Sequence, residues 1–146
     1  MKKIFLFAAA FAAVLTSCSD DDSSSNGSSN APLTVKINGA QKNFTNVEVD
    51  LTGQRVTVVA MSSNHSEILS FETDLGYTGD DQVFYVEYMK DNKTYYETET
   101  GTNSNVEVNT EHLLKGTFSS TLETFDDNGE NAQTLTLTNG KFNLPY

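Results

Sequence analysis

Two histidines, one cysteine and twenty carboxylates are what this chain offers for metal, nucleophilic or acid–base chemistry. A zinc centre takes three or four His, Cys or carboxylate ligands. His65 falls beside a turn signal, Ser62-Ser63-Asn64, and His112 just before a run of strand formers. Both are read as exposed polar residues. A Ser–His–Asp device would have to recruit one of them, and no Gly-x-Ser-x-Gly elbow accompanies any serine. Asp126, Asp127, Asn128 and Glu130 cluster oxygen donors within calcium's chemistry. The Asp-x-Asp-x-Asp-Gly series of an EF-hand is missing there, so a polar hairpin loop is the reading. No metal and no cofactor are expected. Paired carboxylates could still hydrolyse a glycosidic bond, a chemistry set by their separation in space. The acids mostly fall on the polar side of alternating segments, where they keep sheet edges soluble.

Four tyrosines form the other chemical cluster: Tyr85, Tyr88, Tyr95 and Tyr96 flank Lys90-Asp91-Asn92-Lys93. With Asp91-Asn92 at the centre of a hairpin, Tyr88 faces Tyr95 across the strands, a pair worth roughly 0.2–1 kcal/mol. The four rings occupy both parities of a two-residue period. One set must therefore face outward, where a ring can stack on a sugar or grip a protein. This hairpin is the candidate binding face.

Cys18 lies in a different setting. Lys2 and Lys3 precede an unbroken apolar run, Ile4 to Leu15, followed by Thr16-Ser17-Cys18. That is the layout of a secretory leader, and the run is too short for a membrane-spanning helix, which needs about 20 residues. Leu-Thr-Ser-Cys resembles a bacterial lipobox. The resemblance implies cleavage by signal peptidase II between Ser17 and Cys18, and lipid on the Cys18 sulfur. Each acyl CH₂ buried in a bilayer is worth ~0.8 kcal/mol, and stable anchoring takes more than one chain. The membrane partner is reached through this lipid. Acylation leaves no thiol for a disulfide, a metal or a nucleophile. Ser19-Asp20-Asp21-Asp22 resembles the acidic export signal of surface-exposed Bacteroidota lipoproteins, which implies an outer-membrane lipoprotein exposed on the cell surface.

Loss of Lys2 and Lys3 with the leader leaves seven basic residues against twenty acidic ones, a net charge near −13. Nucleic-acid partners need a basic footprint and are excluded. Ser19 to Asn30 holds six serines, three aspartates, two asparagines and one glycine. Without an apolar residue it reads as a tether, spanning about 20 Å root-mean-square. The chain thus divides into a leader (1–17), a lipidated cysteine with its tether (18–30) and one folded domain (31–146).

The domain must position these residues with strands. Leu33, Val35 and Ile37 alternate with polar residues, as do Val47, Val49 and Leu51, and Leu135 and Leu137. Turn chemistry divides the body at Asn38-Gly39, Gly53, Ser62-Asn64, Asp91-Asn92, Asp126-Gly129 and Asn139-Gly140. The expected strands are 33–38, 41–50, 55–61, 66–73, 82–89, 94–99, 105–109, 113–124, 133–138 and 141–145, with a bulge near Gly116. Ten short strands with tight turns specify an all-β fold, an antiparallel β-sandwich or, alternatively, a flattened antiparallel barrel.

Val35-Lys36-Ile37-Asn38-Gly39-Ala40, Leu114-Lys115-Gly116-Thr117-Phe118-Ser119 and Leu135-Thr136-Leu137-Thr138-Asn139-Gly140-Lys141-Phe142 resemble an uncharacterised family of small β-rich Bacteroidota lipoproteins. The resemblance implies a β-rich surface or periplasmic lipoprotein and brings no catalytic residue. The expected function is a non-catalytic binding or structural module of the outer envelope, with a protein or glycan partner. Two alternatives stand beside it: a small surface hydrolase acting on a polysaccharide or envelope polymer, and a periplasm-facing subunit of an envelope complex.

Overall fold

The computed structural model describes residues 31–125 and 132–146. Cys18, its cleavage site, the Ser19–Asp22 signal and the Asp126–Glu130 loop lie outside them. The described chain is all-β and antiparallel. Its strands are β1 (Leu33–Ile37), β2 (Ala40–Phe44), β3 (Asn46–Thr52), β4 (Arg55–Met61), β5 (Glu67–Asp74), β6 (Gly79–Asp80), β7 (Phe84–Lys90), β8 (Lys93–Thr110), β9 (Leu113–Thr124) and β10 (Gln133–Pro145). They form one sheet in the order β2-β1-β10-β9-β8-β7-β5-β4-β3, with β6 paired to β8. β2 and β3 are the two ends of that order, yet only Thr45 separates them in sequence. The sheet therefore curls back on itself into a nearly closed, barrel-like form, consistent with the sandwich or flattened barrel expected from the sequence.

The inward residues follow the two-residue period. Leu33, Val35, Val56, Val58, Leu69, Phe71, Val86, Leu114, Leu122, Leu137 and Leu144 are buried in one core. At its centre, Phe71 lies 5.5 Å from Phe118 and 5.2 Å from Phe142 between ring centroids. Phe142 stands opposite Gly116 across the β9–β10 ladder, and Phe118 stands opposite Gly140. Each ring lies over its own cross-strand glycine: a Cβ at Gly116 would come within 2.7 Å of the Phe142 ring, and one at Gly140 would strike the Phe118 ring. The glycines open the space that the rings fill.

Several expected boundaries shift. The expected 41–50 strand breaks at Thr45, because Phe44 faces the core while Val47, Val49 and Leu51 carry the inward role on the opposite parity. Asn139-Gly140 is a bulge, not a hairpin turn. β10 runs through it with Asn139 at φ 52°, and the register with β9 slips between Leu137 and Gly140. The break expected between strands 94–99 and 105–109 is likewise absorbed into β8, whose register with β9 jumps between Glu97 and Thr102 while Gly101 takes φ 73°. The bulge expected near Gly116 belongs to β8: Val106 pairs with Gly116 and Val108 with Lys115, leaving Glu107 extra. The Asn38-Gly39 turn, with φ 47° and 82°, and the Asp91-Asn92 turn, with φ 52° and 61°, are two-residue hairpins as read from sequence.

Candidate functional site

The tyrosine hairpin divides into an inner and an outer pair. Tyr88 pairs with Tyr95 across β7–β8, with ring centroids 6.3 Å apart. Tyr88 is 1% exposed, and Tyr95 packs half-buried against the core. Tyr85 and Tyr96 are 65% and 54% exposed. Of the four candidates, Tyr85 and Tyr96 form the accessible face and Tyr88 and Tyr95 belong to the interior.

A bulge creates this arrangement. Ser70 pairs with Glu87 and Glu72 with Phe84, so β7 carries one residue more than β5 across that interval. Tyr85 occupies it at φ 53°, a region costly for a bulky side chain. Main-chain pairing of β7 with β8 stops at Glu87–Tyr96. Beyond it the Glu97 carboxylate accepts a hydrogen bond from the Val86 N–H at 3.3 Å, and the Ser104 hydroxyl accepts one from the Val83 N–H at 3.0 Å. The bulge reverses the facing of Phe84. By parity it belongs with Tyr88 in the core; instead it lies outside, edge-on to Tyr85 at 5.3 Å.

Arg55 completes the cluster. Its guanidinium lies 4.7 Å from the Phe84 ring centroid and 6.0 Å from that of Tyr85. It also bonds Glu72, and Asp74 at 2.9 Å. The hydrogen bond it donates to Glu72 is the main reason its pKa rises further above the usual arginine value. The same outer face continues as a cross-strand row of Met61, Ile68 and Met89, followed by Val59 and Tyr96 in the next. Tyrosine, methionine, phenylalanine and arginine are the residues enriched where proteins meet. Glu48, Asp50 and Asp74 border the patch, while Glu72, beside Phe84, and Glu87, beside Tyr96, lie within it.

No family model matches this chain, and no curated protein matches it.

A second polar cluster, invisible to periodicity, caps one end of the core. Glu67 takes an inward position on β5 and is 8% exposed. Its carboxylate accepts hydrogen bonds from Lys42 at 2.9 Å and lies 3.3 Å from Lys90. Burial alone pushes its pKa up, but the two lysines outweigh this and hold it below the usual glutamate value. Burial, and then the negative charge of Glu67, push the Tyr88 phenol well above the usual tyrosine range. The cluster borders a cleft of about 470 Å³ lined by Phe44, Thr45, Ser62, Ser63, Asn64 and Ser66. A general acid needs a raised carboxyl pKa, and Glu67 is tuned the other way.

His65 is exposed in the β4–β5 turn at φ 56°, its Nε2 3.4 Å from the Asn46 amide. His112 is exposed in the β8–β9 turn, where its carbonyl accepts a bond from the Tyr146 N–H at 3.2 Å. Among the described residues no three His, Cys, Asp or Glu side chains are grouped as metal ligands. Sequence reasoning missed Asn109, which is buried and donates to the Asp74 carbonyl at 2.8 Å and the Tyr77 carbonyl at 3.0 Å. It fixes the loop that leads toward β7. A lone asparagine in a polar stretch carries no sequence signal for that role.

Proposed function

We propose that this chain is a lipid-anchored outer-envelope protein whose single β-domain is a non-catalytic binding module facing the cell exterior. In this reading Cys18 carries the lipid, Ser19 to Asp22 directs export, and the tether to Asn30 holds the domain off the membrane. The outer face of β4, β5, β7 and β8 grips a protein partner. The exposure of Tyr85 and Tyr96 on one face carries this reading, because an aromatic is held there at an unfavourable positive φ without serving the core. The aliphatic row Met61–Ile68–Met89 favours a protein over a glycan, since sugar recognition uses rings and hydroxyl partners and gains little from such a row.

The test of the anchor is fractionation of cells expressing the full chain. Cys18→Ala is expected to leave the membrane fraction or to accumulate uncleaved. Replacement of Asp20, Asp21 and Asp22 by alanine is expected to keep the lipid yet protect the domain from protease added to whole cells. Normal processing and membrane partition of Cys18→Ala would overturn the anchor, and unchanged surface digestion of the triple variant would overturn the export role.

A further inference from the structure

The two edges of the sheet are built differently. β2, at one end, is five residues long and places Lys42 at an inward position, opposite Val35, where it reaches Glu67. A short strand with an inward-pointing charge is a standard defence against strand addition. β3, at the other end, has seven residues, no proline, no lysine and no bulge. Its register with β4 is unbroken from Asn46–Met61 to Thr52–Arg55. Among the described residues β3 pairs with β4 alone. Its inward side chains, Val47, Val49 and Leu51, pack only partly against the core, so a further strand would complete their burial. Its outward side chains include Glu48 and Asp50, both exposed.

We propose that β3 is a docking edge for an extended segment of a partner protein in which apolar residues alternate with lysine or arginine. Main-chain hydrogen bonds supply the attraction, the apolar residues cover Val47, Val49 and Leu51, and the basic ones stand beside Glu48 and Asp50. The acids also exclude other occupants. Two copies of β3 pairing antiparallel about Val49 would set Glu48 against Asp50, like charge on like charge. The chain's own segment 19–30 has three aspartates and no apolar residue, so it matches neither face. This site goes beyond the tyrosine face: it uses the β3 main chain and inward side chains, and shares with that face only the acids Glu48 and Asp50.

The test uses the purified full chain in detergent and a fluorescent heptapeptide of alternating lysine and valine, followed by anisotropy. Saturable binding is expected, with protection of β3 amides in hydrogen exchange. Methylating alternate peptide nitrogens, or replacing the peptide's lysines by glutamate, is expected to weaken binding about tenfold or more. The double variant Glu48→Lys, Asp50→Lys is expected to lose the basic peptide and to gain the acidic one, a gain that also shows the variant is folded. Tyr85→Ala with Tyr96→Ala is expected to leave peptide binding unchanged. Absence of binding, equal binding of the methylated peptide, or indifference to the charge reversal would overturn the proposal.

Discussion

Four tyrosines of one hairpin have two different jobs, and substitution separates them. Tyr88 is buried in the core, so Tyr88→Ala is expected to cost about 3–5 kcal/mol by analogy with large aromatic truncations, read by urea unfolding. Tyr96→Ala is expected to cost about 1 kcal/mol or less, as surface changes do. Tyr85 carries a left-handed backbone at φ 53°, which costs an ordinary side chain about 1–2 kcal/mol. Tyr85→Gly is therefore expected to be neutral or stabilising, and clear destabilisation would show that the ring is needed for folding. Glu67 gives the residue scale its pH dependence. Its folded pKa lies below the ordinary 4.5, so its stabilisation is present above that pH and is lost as pH falls through the folded value. Glu67→Gln is expected to lower stability at neutral pH by about 1–3 kcal/mol and to flatten the acid limb of a stability–pH curve. An unchanged acid limb would mean that other carboxylates set it.

At the scale of elements, the period-two pattern revealed the strands, while the bulges decided where side chains point. Val56, Val58, Leu69 and Phe71 fall inside as their alternation requires. Phe84 does not, because the extra residue at Tyr85 flips it, and a bulge leaves no mark in a hydrophobic count. Asn139-Gly140 misled for a related reason: a positive-φ asparagine serves a bulge as well as a turn. The β2–β3 corner was missed, since the expected 41–50 strand runs through it, although the alternation carries the signal. Phe44 and Val47 have opposite parity, so no straight strand can face both inward. Glu67 and its lysines were invisible because Lys90 meets Glu67 only through the β5–β7 register and Lys42 reaches it from β2 only once the sheet curls. The glycine–phenylalanine exchange between β9 and β10 is testable at the same scale. A Cβ at Gly116 would approach the Asn105 carbonyl oxygen to 2.5 Å, and backbone gives way poorly. Gly116→Ala is expected to cost about 1–3 kcal/mol by overpacking, measured by the urea midpoint at constant m-value. A neutral result would mean that β8 and β9 separate easily at the Glu107 bulge.

On the scale of the whole molecule, a core that runs continuously from β1 to β10 describes one cooperative unit. Residues 31–146 are expected to melt in a single transition in reducing buffer, unmoved by chelator. A drop of more than a few degrees with chelator would assign calcium to Asp126, Asp127, Asn128 and Glu130. In the proposed function, the acidic charge and the outward Tyr–Met–Arg face suit a basic-rimmed protein partner. The most direct measurement is quantitative cross-linking on intact cells, comparing the wild-type chain with the Tyr85→Ala, Tyr96→Ala double variant at matched surface abundance. The account predicts one dominant protein adduct with the wild type and its loss in a variant whose melting temperature is unchanged. An adduct of equal yield from the double variant, or no adduct from the wild type, would contradict it.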